Sequence, residues 1–286
     1  MANTYDADLC VDRLSEKAIL VLQERLAPLR AFSRDFGTDT LRPRATVQVE
    51  KSGTHATAQQ NPTDYESGDT TNDAVAVTVN EETISFNVSS QEMMQGERLE
   101  TKAGNNLHGL ADNIWDEVVA LCNDDAGGST LTKVTVAQAS FTDANRNALW
   151  ASIAKGGERH LILDGTAYSQ NLPTDSNSFS LSQSGAFGWD GLHMATKWDA
   201  TGAESNLYGL AVTPNAFAVA SGLPEITPAV ANNLEAVGTA EIPDLGLTVQ
   251  TCLWGSSSTR ATWISYGVMF GVSVGDGSAF NLVVSA

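Results

Sequence analysis

Basic residues are scarce in this 286-residue chain: 16 Lys and Arg stand against 34 Asp and Glu, for a formal net charge of −18. A surface this acidic argues against gripping nucleic acid, because phosphate binding needs clustered Lys and Arg. Cysteine is as thin. Cys10, Cys122 and Cys252 form an odd, widely spaced set without CxxC or Cys/His ligand spacing, which argues against a disulfide scaffold and suits a reduced cytoplasm. Long apolar runs are missing too: no stretch reaches the ~18 residues of a membrane span. The opening Met1-Ala-Asn-Thr-Tyr-Asp6 has neither the basic nor the apolar region of a signal peptide. Synthesis in the cytoplasm and no membrane partner are the expectation.

The usual carriers of chemistry are also sparse. His55, His108, His160 and His193 are scattered, and none stands at metal-ligand spacing from another His or Cys. Ser182-Gln-Ser-Gly-Ala186 lacks the leading glycine of a nucleophile elbow, and no Walker loop or dinucleotide fingerprint occurs. Asn123-Asp-Asp125 lacks the graded ligands and closing Glu of a calcium loop, so it reads as helix termination. The six tryptophans are spread out, as core or interface anchors would be. No catalytic, cofactor-binding or metal residue is assigned, and an enzyme is not expected.

What is present is a 42% hydrophobic fraction, enough for a sizeable core, and a clear order of pieces. Asp12 is placed to cap a helix bearing Leu14, Ala18, Val21, Leu22 and Leu26 on one face, which Pro28 ends or bends; this reads as a mobile or docking N-terminal arm. Arg44-Ala-Thr-Val-Gln-Val-Glu50 alternates as a strand, and Val75 to Val79 with Ile84 to Val88 forms its partner. Between them lie Gly53, Pro62, Gly68 and many polar residues. A projecting hairpin of that composition is marginal in water, so a neighbouring subunit is its natural support. Ser89-Ser-Gln-Glu92 resembles a capping box, and Leu99, Ala103, Leu107, Leu110, Ile114, Val118 and Leu121 then repeat at helical spacing. That helix, over 97–122, would run about 39 Å.

Beyond Gly128 the pattern is mixed. Val134 and Val136 fit a short strand, Thr142 caps a helix through Ile153, and Arg159 to Asp164 is a buried strand before a helical turn at 167–170. Thr213-Pro-Asn to Gly222 reads as a short helix with Pro at its start and Gly at its end. Strands are expected over 247–254, 263–274 and 280–285, with Gly275-Asp-Gly277 as a hairpin turn.

Charge is unevenly placed. Seven basic residues precede position 51, whereas 52–90 holds six acidic residues and no Lys or Arg. Opposite charges of this kind can meet across a subunit boundary. The expected contacts are Arg34, Arg42 and Arg44 on one side and Asp64, Glu66, Asp69 and Glu82 on the other.

The order of these pieces resembles the major capsid proteins of tailed bacteriophages, the Hong Kong 97 fold. Glu158-Arg-His-Leu-Ile-Leu-Asp-Gly-Thr-Ala-Tyr168, Tyr208 to Gly222 and Tyr266-Gly-Val-Met-Phe-Gly-Val-Ser-Val274 are the stretches most like that family. The resemblance implies an α+β chain with an N-terminal arm (1–42), an extended-loop hairpin (43–90), a peripheral domain with a spine helix (91–130) and an axial domain (131–250). The C-terminal strands (251–286) would return to the peripheral domain. It further implies self-assembly through hexamers and pentamers into an icosahedral virion shell that encloses double-stranded DNA without specific binding. With about forty residues before the hairpin, a separate scaffolding protein is expected, or none, beside portal and decoration partners. Because 52–90 contains no lysine, the covalent loop cross-link of the type member is not expected. The alternative is a β-rich binding or adhesive module of a virion or cell surface.

Overall fold

The computed structural model describes residues 7–54, 71–89, 92, 96–123, 131–153, 157–171, 188–242, 245–256 and 261–286. Helix α1 (Ala7–Arg25) is followed by a 3-10 turn, Ala27–Ala31. Val11, Leu14, Ala18, Val21, Leu22 and Leu26 are all buried, so the stripe read from the sequence is real. It is covered by the chain itself. The segment is a core helix and not a free arm, because exposing six apolar side chains would forfeit roughly 1.5–3 kcal/mol for each of the larger ones. The helix also starts five residues before Asp12, which lies inside it and caps nothing.

Helix α2 (Gly96–Ala120) supplies the matching stripe, with Leu107, Leu110, Ile114 and Val118 at 0% exposure. Ahead of it in the sequence, Ser89 donates its N–H to Glu92 Oε2 at 2.8 Å, and Glu92 N–H returns a bond to Ser89 Oγ at 3.3 Å, the reciprocal pattern of a capping box. Gly109 faces Ile84 so closely that an added Cβ would lie 3.3 Å from Ile84 Cδ1. The glycine that weakens helix propensity thus buys a close helix–sheet approach.

The helices cover one face of a seven-stranded sheet. Its central path runs β1 (Ser33–Leu41), β8 (Phe217–Pro224), β11 (Ala261–Val274), β10 (Thr248–Ser256) and β9 (Ala236–Glu241). β2 (Ala45–Thr54) and β3 (Thr71–Val88) join through β11. Period-two alternation sends Phe86, Val88, Ile264, Tyr266, Val268 and Phe270 into the main core with α1 and α2. β3 is one long strand with two partners: Asn80–Val88 pairs with β11, while Thr71–Val79 pairs with β2. At Gly271 the backbone of Thr78 and Val79 passes where a Cβ would sit, so the hairpin leaves the sheet plane there. It folds back over the other face. Val49, Val77 and Val79 are buried on Ala218, Ala220 and Met269, so the hairpin base is supported by its own chain and not only by a neighbour.

A second sheet runs in the order β4 (Lys133–Thr135), β12 (Phe280–Val284), β7 (Leu207–Val212), β5 (His160–Leu163) and β6 (Gly191–Met194). β5, β7 and β12 are buried at every position, which is why they read as continuous apolar runs. Helix α3 (Asp143–Ser152) contributes Leu149 to their outer layer. Helix α4 (Gly165–Gln170) is capped by Asp164, which accepts from the amides of Thr166 and Ala167. A short α5 (Pro228–Ala231) follows β8. The main core reaches into both sheets, through Ile162, Leu210 and Leu282 on one side and Ile264 and Phe270 on the other.

Two sequence expectations fail here. The segment 213–222 is a turn leading into β8, because alternating Phe217/Val219 and Ala218/Ala220 serve two covered faces. Gly275-Asp-Gly277 is no hairpin turn: it carries the chain from β11 in one sheet to β12 in the other. Consequently β10 and β11 lie with the helices, while the last strand pairs with β4 and β7.

Candidate assembly surfaces

Of the charged residues singled out in the sequence, Arg42 has the best-defined surroundings. Its Nε donates to Glu225 Oε2 at 2.7 Å and its Nη2 to Oε1 at 3.4 Å, a forked pair within one chain. Arg42 remains 80% exposed, so the pair is worth at most about 1 kcal/mol. Arg34 donates from Nη1 to the Leu245 carbonyl at 3.5 Å, and burial followed by the Arg30 charge lowers its affinity for a proton. Arg44 sits in the left-handed region at φ 68 in the turn between β1 and β2, its N–H bonded to Val79 O at 2.7 Å. Its side chain is exposed.

Glu82 is half-buried on β3, opposite Val268. Its neighbour is Glu117 of α2. Burial, and then the Glu82 charge, pushes the Glu117 carboxyl up to about 7. Asp64, Glu66 and Asp69 lie outside the described residues. Within one chain Arg42 is thus paired with Glu225, and Glu82 lies beside Glu117.

The sequence reading missed three features. Glu225 follows β8 in a segment with no periodic signal. On the open face of the first sheet Trp254 and Trp263 stand directly opposite each other, rings stacked at 6.2 Å and 12°. Trp254 also lines a groove of about 440 Å³ with Glu81, Thr83, Gln250, Cys252 and Ser265, and the half-exposed Val230 lines it too. Third, His160 and His193 are neighbours on β5 and β6, Nδ1 to Nε2 3.3 Å. Only strand register joins these pairs, and register was not legible locally.

The groove offers little chemistry. Burial and then Glu81 push the Cys252 thiol up to about 11, so it is protonated at neutral pH and a poor nucleophile. Among the described residues no three His, Cys, Asp or Glu side chains are placed to hold a metal ion. No helix among them is long and apolar enough to cross a membrane.

No family model matches the chain, and no curated protein matches its sequence. Its structure does have counterparts. The subunit of a virus-like particle from Pyrococcus furiosus aligns over 95% of this chain and 98% of its own, at 12% identity and a TM-score of 0.53. The capsid of a native GTA particle aligns over 92% and 90% at 14% identity and 0.50, and that of Gordonia phage Cozz over 92% and 87% at 11% identity and 0.50. At such identities the likeness speaks for architecture, and it runs nearly end to end: the chain has the Hong Kong 97-like fold of virus-like particle and phage capsid subunits.

Proposed function

We propose that this chain is the major capsid protein of a tailed bacteriophage, self-assembling into an icosahedral shell that encloses double-stranded DNA. Its role is structural, with no catalytic step. The observation that carries the reading is the end-to-end match to the Pyrococcus furiosus virus-like particle, which spans 95% of this chain and 98% of that one. The net charge of −18 fits a wall that packaged DNA does not stick to. In this reading the subunits meet as hexamers and pentamers, with a separate scaffolding protein, a portal and decoration proteins as further partners, and the shell is built in the host cytoplasm.

Residues 43–90 act as the extended loop and α2 as the spine of a peripheral domain, with the second sheet at the centre of the axial domain. The exposed Arg44, with Arg42 in the same turn and Arg34 at the other end of β1, reaches Asp64, Glu66, Asp69 and Glu82 of a neighbouring subunit. Negative-stain microscopy of the purified full-length protein tests the core of this proposal. Shells or ring-shaped capsomers are expected; dispersed monomers at high concentration would overturn it.

A further inference from the structure

His160 and His193 are separated by 33 residues in sequence, yet their rings stack at 5.5 Å and 29° with Nδ1 of the first 3.3 Å from Nε2 of the second. The two nitrogens meet directly over Gly191, where an added Cβ would collide with both. His160 is only 7% exposed. The pair joins β5 to β6, the edge strand of the second sheet, and β6 rests in turn on the Ala27–Ala31 turn that ends the N-terminal helix. These rings therefore sit where an edge strand is fastened to two parts of the molecule.

The charged groups around them are few. Glu158, ahead of β5, places Oε2 3.5 Å from His160 Nε2, and Asp190, ahead of β6, adds a second negative charge. The Ala27–Ala31 turn brings Arg30, whose positive charge acts on His193. Arg159 is turned away, stacked over Trp150 and donating to its carbonyl. β7 offers only Tyr208, bonded to Val136 O, and α4 has Tyr168 and its cap Asp164, whose carboxylate accepts from two amides.

A bond between two imidazoles needs one N–H and one lone pair. With one added proton the bond survives, since the cationic ring donates and the neutral one accepts. With two, N–H faces N–H across 3.3 Å beside Arg30, and attraction becomes repulsion. We propose that the His160–His193 pair is a proton-operated latch that holds β6 to β5 and to the Ala27–Ala31 turn, and that the second proton opens it. Burial first, then the His160 and Arg30 charges, pushes His193 down to about 4. The sign follows from that depression: the latch stabilises the fold above the ordinary histidine range and is lost as pH falls toward about 4. This holds within a single subunit, whether or not the chain assembles.

The test is amide exchange on the full-length protein at about pH 7 and about pH 4, comparing wild type with His193→Gln, whose amide donates to Nδ1 but cannot take up a proton. Wild type should lose about tenfold or more of its protection over 191–194 in acid, the variant less than about twofold, with 262–270 protected in both. Equal protection of 191–194 at both pH values, or equal loss in wild type and variant, overturns the latch. Should the variant fail to fold, imidazole resonances of the wild type decide: a ring with its midpoint below about 5 supports the latch, and two rings titrating near 6.5 refute it.

Discussion

Gly271 is a position where one atom decides the path of a whole hairpin. An added methyl there meets the carbonyl of Thr78 and the backbone of Val79, neither of which is a flexible side-chain end. Gly271→Ala should therefore cost about 1–3 kcal/mol, read as a lowered denaturation midpoint with unchanged slope. Leu110, at 0% exposure between α2 and the sheet, is a harsher case. Leu110→Asp buries a charge with no partner, so several kcal/mol and most of the soluble yield should be lost. Normal yields of folded Leu110→Asp would mean that α2 presents a different face to the core.

Glu117 works in the opposite direction, as a built-in weakness. Its carboxyl is held up at about 7, against an ordinary value of 4.5, by burial and by Glu82. The unfolded chain ionises first, so stability is full below about pH 4.5 and falls as pH rises through about 7. Allowing for solvent screening of a part-exposed group, the penalty is about 1–2 kcal/mol. Glu117→Gln should remove it: the variant should melt above wild type near pH 8, with the gap closing near pH 4. A gap of equal size at both pH values would separate the gain from ionisation.

At the scale of elements, α1 and α2 were legible because a 3.6-residue period survives any tertiary setting, and the capping box at Ser89 and Glu92 marked the approach to α2. β10, β11 and β12 were legible as strands for similar reasons. Their sheets were not. Nothing local tells that β11 and β12 part company at Gly275, and β1 was passed over because Ser-Arg-Asp-Phe-Gly-Thr-Asp-Thr-Leu has almost no apolar signal. Its strand character comes from parallel pairing with β8. The paired histidines and tryptophans were hidden for the same reason.

The hairpin shows the limit of composition. Its polar middle suggested that support had to come from outside, yet Val77 and Val79 are fully buried on β8 and β11 of their own chain. In an isolated subunit, amides 75–79 should therefore exchange slowly, protected by at least about tenfold over an unstructured chain. Unprotected 75–79 in a verified monomer would return the whole hairpin to its neighbour.

At the scale of the molecule, the proposed shell requires an acidic chain to associate with copies of itself although every copy carries −18. Local patches of opposite charge then matter more than net charge, because a closed shell repeats each small contact many times. Arg42 and Arg44, with Arg34 at the other end of β1, are the candidate basic contacts, and their test has to separate contacts within a chain from those between chains. Arg42→Glu with Arg44→Glu should leave the fold nearly intact, since the Arg42–Glu225 pair is exposed, while shell formation falls and high salt weakens wild-type assembly in the same direction. Adding Glu225→Arg restores an ion pair inside the chain with its polarity reversed. If assembly, followed by light scattering, stays impaired in that triple variant, the arginines act on a neighbouring subunit. Recovery would place their role in holding the β1–β2 turn against the end of β8, and normal assembly of the double variant at low salt would remove both arginines from the interface altogether.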